Sequence, residues 1–396
     1  MSEFRVGSKL TVIGWMPPRT LKSSRYADCT IVDLISRDLM SRGIDVEYRY
    51  LGERGLLCAW FALFWLLKSH REKAQTGKIQ TGNLVLTGIL SERFIEAVSL
   101  VDLGFKAFVR EVSEDSDYIL LLGPVATISS IKRAIARPAR VGLLETNLSQ
   151  VYLATLSATR STTWFRRFVS RLTELAEHRA ISDADFVFTV SRRDTIRLSK
   201  SFPGKDIEFY LPIRTLDIDD EAAFPKSTRR IRDVLSGQVH DISPHDFNVL
   251  FLGSNSKVNQ EGLTRLVSIA RRIEEPSRFR VRFIVVGEVF KTVAQTDLMP
   301  SSILFTGFQP ELDPILEYAG IFVVFDLLGT GIEIKALSYA KIPRPILVIS
   351  NSSPEEYRGL FGSRVIWASD EKQAADLIVG LARSSSSAPV STIAGE

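Results

Sequence analysis

The residues best placed to do chemistry lie in the run IFVVFDLLGTGIEIKALSYAKIPRPILVIS, residues 321–350. Its periodicity predicts a strand at 321–325, a turn at Gly329-Thr330-Gly331, a helix at 333–341 and a further strand at 346–349. A glycine turn that opens a helix after a parallel strand presents unpaired amides and the positive end of the helix dipole. That arrangement suits a phosphate or a carboxylate, and an ordinary helix start with no ligand stays open beside it. A second loop, Gly253-Ser254-Asn255-Ser256-Lys257, follows an apolar run at 247–252. It is neither a Walker loop nor a GxGxxG fingerprint. Glu145 ends a third apolar run and is a candidate acceptor-side carboxylate, or a satisfied loop residue.

Other chemistries find little support. Two cysteines, Cys29 and Cys58, make no disulfide framework or zinc cluster, and the four histidines lack metal-ligand spacing. Asp217, Asp219 and Asp220 resemble a metal-binding cluster only in spacing and fall in a polar connecting stretch. No metal and no other cofactor is therefore expected, and nothing points to a nucleic acid partner.

Alternating strand and helix patterns must position these residues. Strands are expected at 10–15, 45–51, 81–86, 118–122, 139–145, 185–190 and 207–211. Between them lie an amphipathic helix at 26–42 with Ile31, Leu34, Ile35 and Leu39 on one face, and helices at 94–112, 126–135, 164–182 and 192–201, the last capped by Ser191. A second series has strands at 247–252, 280–286, 303–306, 321–325 and 346–349. This alternation indicates α/β architecture with parallel sheets. At 396 residues the chain exceeds what one core usually serves, so two domains are expected. The reading is a first Rossmann-like domain at 1–212, a linker at 213–244 with a short helix at 227–235, and a second domain at 245–370. A terminal helix at 371–383, which could cross back to the first domain, and a disordered tail at 384–396 complete it.

Charge divides along the same line. Residues 1–240 hold 35 Lys and Arg against 28 Asp and Glu, or +7, which leaves −3 for the rest of a chain whose net charge is +4. A basic first half, with Arg19, Lys22 and Arg25 in one loop, favours an anionic surface or substrate, although solvation explains it too. Residues 55–67, GLLCAWFALFWLL, are the most apolar run and carry basic neighbours. They are too short to span a bilayer, leaving a buried core helix or a helix lying on an anionic membrane face. The polar face expected of such an interfacial helix is nearly absent. With no signal-peptide core at the N-terminus, the chain reads as cytoplasmic, with peripheral attachment to the membrane through 55–67.

Four segments together carry a resemblance. HDFNVLFLGSNSKVNQEGLTRLV (245–267), FIVVGE (283–288) with ILFTGFQPELDPILEYAGIFVVF (303–325), and GTGIEIKALSYAKIPRPI (329–346) resemble the second domain of the retaining, two-Rossmann-domain glycosyltransferases of GT-B type, in particular the large family 4 group. ELAEHRAISDADFVFTVSRRD (174–194) resembles the end of that group's first domain. The resemblance implies two Rossmann-like domains facing across a cleft. It implies a nucleoside-diphosphate sugar as donor, a lipid-linked or glycan acceptor, and transfer with retention.

Roles follow from the same resemblance. Gly253 and Ser254 would lie beside the diphosphate, and Lys257 would add positive charge. Phe308 would meet the base through its backbone. Thr330, Gly331 and Ile332 would form the donor loop, with Lys335 as its second lysine. Two departures stand out: the group's paired glutamates are Thr330 and Ser338 here, and Glu333 holds the place of the first lysine. The first-domain histidine is also missing near Glu145. Glu333 would then contact donor-sugar hydroxyls in the glutamates' stead, or form a salt bridge with Lys335 or Lys341. The implied catalytic set is Glu333, Lys257, Lys335 and Glu145. The lost glutamates also fit a catalytically silent homologue that binds glycan or nucleotide or supports a partner enzyme.

Overall fold

The computed structural model describes residues 4–14, 27–50, 103–122, 128–135, 139–145, 175, 177–212, 228–243, 246–273, 281–292, 299–309, 311–327, 332–333, 335–351 and 353–387. Several expectations fall outside the described residues: the basic loop at Arg19–Arg25, the apolar run 55–67, the strand at 81–86, most of the helix at 164–182, and Asp217–Asp220. The chain divides into two compact units, Met1–Thr215 and Leu216–Glu396.

In the first unit six strands form one sheet. They are β1 (Lys9–Gly14), β2 (Asp45–Tyr50), β3 (Tyr118–Leu122), β4 (Arg140–Glu145), β5 (Phe186–Thr189) and β6 (Ile207–Phe209), in the order β2-β1-β3-β4-β5-β6. Every pairing is parallel. Helix α1 (Ala27–Ser41) presents Ile31, Leu34, Ile35 and Leu39 to the core, each no more than 2% exposed. Helices α2 (Leu103–Asp115) and α3 (Ile128–Ala134) supply Phe108, Val109, Val112, Ile128 and Ile131 to a cluster with Ile119, Leu121, Val141 and Val187. Helix α4 (Arg192–Ser201) begins at Ser191, whose side chain accepts from the Asp194 amide. That cap removes one of the helix's unpaired N–H groups.

The second unit opens with an element the sequence reading missed. The expected short helix at 227–235 is instead β7 (Arg229–Arg232), paired antiparallel with β8 (Val239–Ile242). Of the strand residues of this hairpin only Ile231 and Ile242 are buried, so its strands lack an alternating apolar signal. Its turn closes on Asp233, whose carboxylate accepts from the amides of Leu235 and Ser236 at 2.7 and 3.0 Å.

The main sheet of this unit contains β9 (Phe247–Leu252), β10 (Val281–Val286), β11 (Ile303–Gly307), β12 (Ile321–Phe325), β13 (Ile346–Ile349) and β14 (Val365–Ala368). Its order is β11-β10-β9-β12-β13-β14, again with parallel pairings. Strands β10, β11, β12 and β13 are buried along their whole length, as parallel strands covered on both faces must be. Burying such apolar side chains stabilises a fold by about 1.5–3 kcal/mol each, before the cost of chain ordering is set against it.

Helices α5 (Lys257–Ile273), α6 (Asp313–Leu316), α7 (Lys335–Ala340), α8 (Glu355–Phe361) and α9 (Glu371–Ser387) complete the unit. The terminal helix belongs to the second unit and not to the first. Ala374, Ala375, Ile378 and Ala382 of α9 share one cluster with Leu266, Ile269 and Ile349. Nor does the tail begin at residue 384, because α9 runs on to Ser387. Ser384 and Ser385 donate to the carbonyls of Gly380 and Leu381, four residues back, which lets a serine run continue the helix.

The strand order sets where a ligand belongs. From β9 the chain moves to one side, to β10 and β11, and then returns to β12 on the other. Ligands of open α/β sheets bind at the carboxyl ends of strands that flank such a reversal. Gly253 follows β9, and Asp326 follows β12.

Candidate donor site

The ends of two neighbouring strands, β9 and β10, approach too closely for side chains at Gly253 and Gly287. Gly253 donates its amide to the Val286 carbonyl at 2.9 Å and accepts from the Val289 amide at 3.1 Å. Gly287, after β10, has φ of +108°, and a Cβ there would lie 2.3 Å from the Gly253 carbonyl oxygen. Only glycine meets both demands. The Gly253 amide is thus spent inside the sheet, so this glycine serves the site by leaving room. The exposed Ser254 comes next and carries the first hydroxyl at the sheet edge.

Helix α5 starts at Lys257, whose backbone is described and whose side chain is not. In the first turn Asn259 donates from its Nδ2 to Ser254 Oγ at 3.0 Å, and its backbone amide reaches Ser256 Oγ at 3.3 Å. Its Oδ1 accepts from Lys335 Nζ at 2.6 Å. Lys335 is the first residue of α7, with a side chain only 10% exposed. Its ammonium lies 3.4 Å from Glu333 Oε2 and 4.8 Å from the centre of the Phe251 ring. Of the two lysines that could pair with Glu333, Lys335 does so, while Lys341 pairs with Asp313 at 3.6 Å.

A buried tyrosine fixes α7 against the sheet. Tyr339 is fully buried and stacks on Phe322, ring centres 4.4 Å apart and planes 9° from parallel. Its hydroxyl accepts from the Leu252 amide at 2.9 Å and donates to the Val323 carbonyl at 3.4 Å. Burial pushes this phenol well above its ordinary range, so it remains a donor. Tyr357 does similar work from α8, its hydroxyl accepting from the Glu333 amide at 3.3 Å.

Of the residues singled out in the sequence, Gly253, Ser254, Glu333 and Lys335 come together here. Ile332 is buried beneath them at 3% exposure, and Phe308 follows β11 with 47% of its surface exposed. Thr330 and Gly331 lie outside the described residues. Glu145 belongs to the first unit, where it ends β4 in register with Thr189. Asn259 and Tyr339 were missed. Asn259 sits in the resembling segment 245–267, and Tyr339 directly follows the lost glutamate position at Ser338. Among the described residues, no group of three or more His, Cys, Asp or Glu could hold a metal ion. No helix among them is long and apolar enough to cross a membrane.

This unit has recognisable relatives. Residues 246–384 match the family described as Glycosyl transferases group 1. No curated protein sequence matches the chain. Among solved structures, the sucrose-phosphate synthase of Thermosynechococcus elongatus is similar over 96% of this chain and 92% of its own, with 11% identity and a TM-score of 0.56. HepE of Anabaena, solved with UDP and glucose, covers 96% and 93% at 11% identity with a TM-score of 0.49. TarM covers 72% of this chain at 12% identity with a TM-score of 0.48, and the chain spans about half of TarM's length, 52%. The likeness to the synthase shows a shared fold, the two-sheet GT-B arrangement of parallel Rossmann-like domains.

Proposed function

We propose, from the match of residues 246–384 to Glycosyl transferases group 1 and from the GT-B fold, that the protein transfers a sugar from a nucleoside-diphosphate donor to a lipid-linked or glycan acceptor, with retention. The observation that carries this reading is Lys335. Its ammonium is three-way held at the reversal point of the donor sheet, where a diphosphate is expected.

The chemistry follows from charge. Breaking the bond between sugar and diphosphate builds negative charge on the leaving oxygen, and a fixed cation in a partly dry site offsets it. In the unliganded chain Glu333 supplies the counter-charge at Lys335. An arriving diphosphate competes for that ammonium and frees the Glu333 carboxylate to accept from sugar hydroxyls. Ser254 would complete the phosphate side, where the resemblance adds Thr330 and Gly331 and the charge of Lys257. Phe308 lies on the base side and Glu145 on the acceptor side. The reaction in this scheme draws on no metal ion. Residues 55–67 would attach the protein peripherally to the cytoplasmic face of a membrane, close to a lipid-linked acceptor.

One observation favours a second reading. Glu333 already neutralises Lys335, while Thr330 and Ser338 stand where the group has glutamates, as fits a silent homologue that keeps the domain for binding or partner support.

Titration calorimetry with UDP-, GDP- and ADP-linked sugars separates the two. Saturable binding of one nucleotide, with slow release of free sugar, is expected for the enzyme. In that case Glu333→Gln should lose most turnover while nucleotide affinity holds or rises. Binding without turnover under any condition would leave the silent homologue.

A further inference from the structure

We propose that Asn259 is a positioning residue for the donor-side lysine: it aims the Lys335 ammonium and ties it to the glycine loop. The role rests on the glycosyltransferase reading above. Three bonds hold Asn259, one from its backbone amide to Ser256 and two from its carboxamide, to Ser254 and Lys335. An ammonium offers three donors and no acceptor, so it can face only the Oδ1 end of the amide. That orientation sends the NH2 end to Ser254 Oγ. One neutral side chain therefore spans the two segments that border the diphosphate position, the loop after β9 and the first turn of α7.

Neutrality matters here. Glu333 contributes charge to Lys335, and a diphosphate would displace it electrostatically. Asn259 contributes geometry without charge, so its grip does not depend on which anion neutralises the lysine. The Phe251 ring beneath adds a face that attracts the cation and is equally indifferent to the exchange. As Glu333 gives way to phosphate, Asn259 and Phe251 keep the ammonium aimed at the same point. A lysine left on its four-carbon stem would have many directions to sample.

Two measurements test this. The first is selective acylation of lysines in the full chain, read by mass spectrometry without any nucleotide. Asn259→Ala should raise the labelling rate at Lys335 several-fold and leave other lysines unchanged. Asn259→Asp keeps the accepting oxygen and should label as slowly as the unaltered protein. Equal labelling of Lys335 in the alanine variant and the unaltered chain would overturn the proposal, as would an aspartate variant that labels like alanine. The second is a double-mutant cycle read by calorimetric titration with UDP, GDP and ADP. Asn259→Ala should weaken nucleotide binding about tenfold, the weight of a hydrogen bond to a charged group. In a Lys335→Ala background it should add no further loss. Losses that multiply across the two sites would overturn the role while leaving the glycosyltransferase reading intact. Failure of the unaltered protein to bind any of the three nucleotides would instead overturn the parent reading, and with it this role.

Discussion

Each unit carries a polar network at the carboxyl ends of its strands, and the two networks end differently. In the first unit, Thr189 Oγ1 and Thr195 Oγ1 lie 2.5 Å apart, one donating to the other while the acceptor's own proton goes to the Ser191 carbonyl, which is within reach of both. Ser191 Oγ caps α4 through the Asp194 amide. Thr189, Ser191 and Asp194 are all at most 2% exposed, so this network is buried at its centre and reaches outward only through the pair of Asp194 with Arg197 at 3.8 Å. In the second unit the chain of contacts runs outward. Tyr339 anchors it on buried backbone, Lys335 and Asn259 continue it, and Ser254 brings it to the surface. A closed network satisfies buried polar groups and stabilises its own helix start. An open one leaves charge and hydroxyl where a ligand can reach them. Polarity at a strand end is therefore a weak sign of a site, and the place where the network ends is the better one.

The largest expected effect tests whether the open network needs its cramped scaffold. Gly287→Ala adds a Cβ against the Gly253 carbonyl at a positive φ, and should destabilise the second unit by about 3 kcal/mol. Urea denaturation measures this, and an unchanged midpoint would show that the two glycines can move apart. Next comes the buried anchor. Tyr339→Phe strands the Leu252 amide and should cost about 1–3 kcal/mol of stability. Nucleotide affinity should fall by less than it does for Lys335→Ala, because the ring stack on Phe322 survives. The smallest effect falls on the closed network. Ser191→Ala should cost about 1 kcal/mol through the lost cap and leave nucleotide binding unaltered. A weaker nucleotide affinity in that variant would break the distinction between the two networks.

Apart from β14 (Val365–Ala368), a half-exposed edge strand that the sequence reading missed, the strands of both sheets were legible because parallel strands are apolar on both faces and announce themselves as short, continuous runs. VRFIVV (281–286), IFVVF (321–325) and ILVI (346–349) are of this kind. The β7–β8 hairpin was not legible. Ile231, Val234 and Leu235 are spaced like a helix face, and the charged strand residues lie on an exposed ribbon. The end of α9 was obscured by composition, since serines ordinarily leave helices.

The site was legible in part. Lys335, Gly253 and Ser254 follow from the motif, but the partner of Glu333 could not be chosen from sequence spacing. Lys335 lies two residues and Lys341 eight residues after it, neither a helix-face spacing, and the choice depends on how the chain enters α7. Asn259 and Tyr339 had the same obstacle. Each acts across more than 70 residues of chain, and only tertiary packing puts its partner in view.

The hairpin ahead of the second sheet has a consequence for dissecting the protein. Strand β11 is the sheet's edge, and the hairpin turn engages it directly. The Val234 amide donates to the Phe305 carbonyl at 2.8 Å, and the Phe305 amide donates to Asp233 at 3.2 Å. A fragment of the second unit cut at residue 245, where the apolar pattern resumes, would bare those two backbone groups on an apolar edge. Naked edges of this kind recruit other strands, so such a fragment is expected to self-associate. A fragment beginning at 228 carries its own edge cover, so this half of the molecule needs at least the nineteen residues before its first long strand.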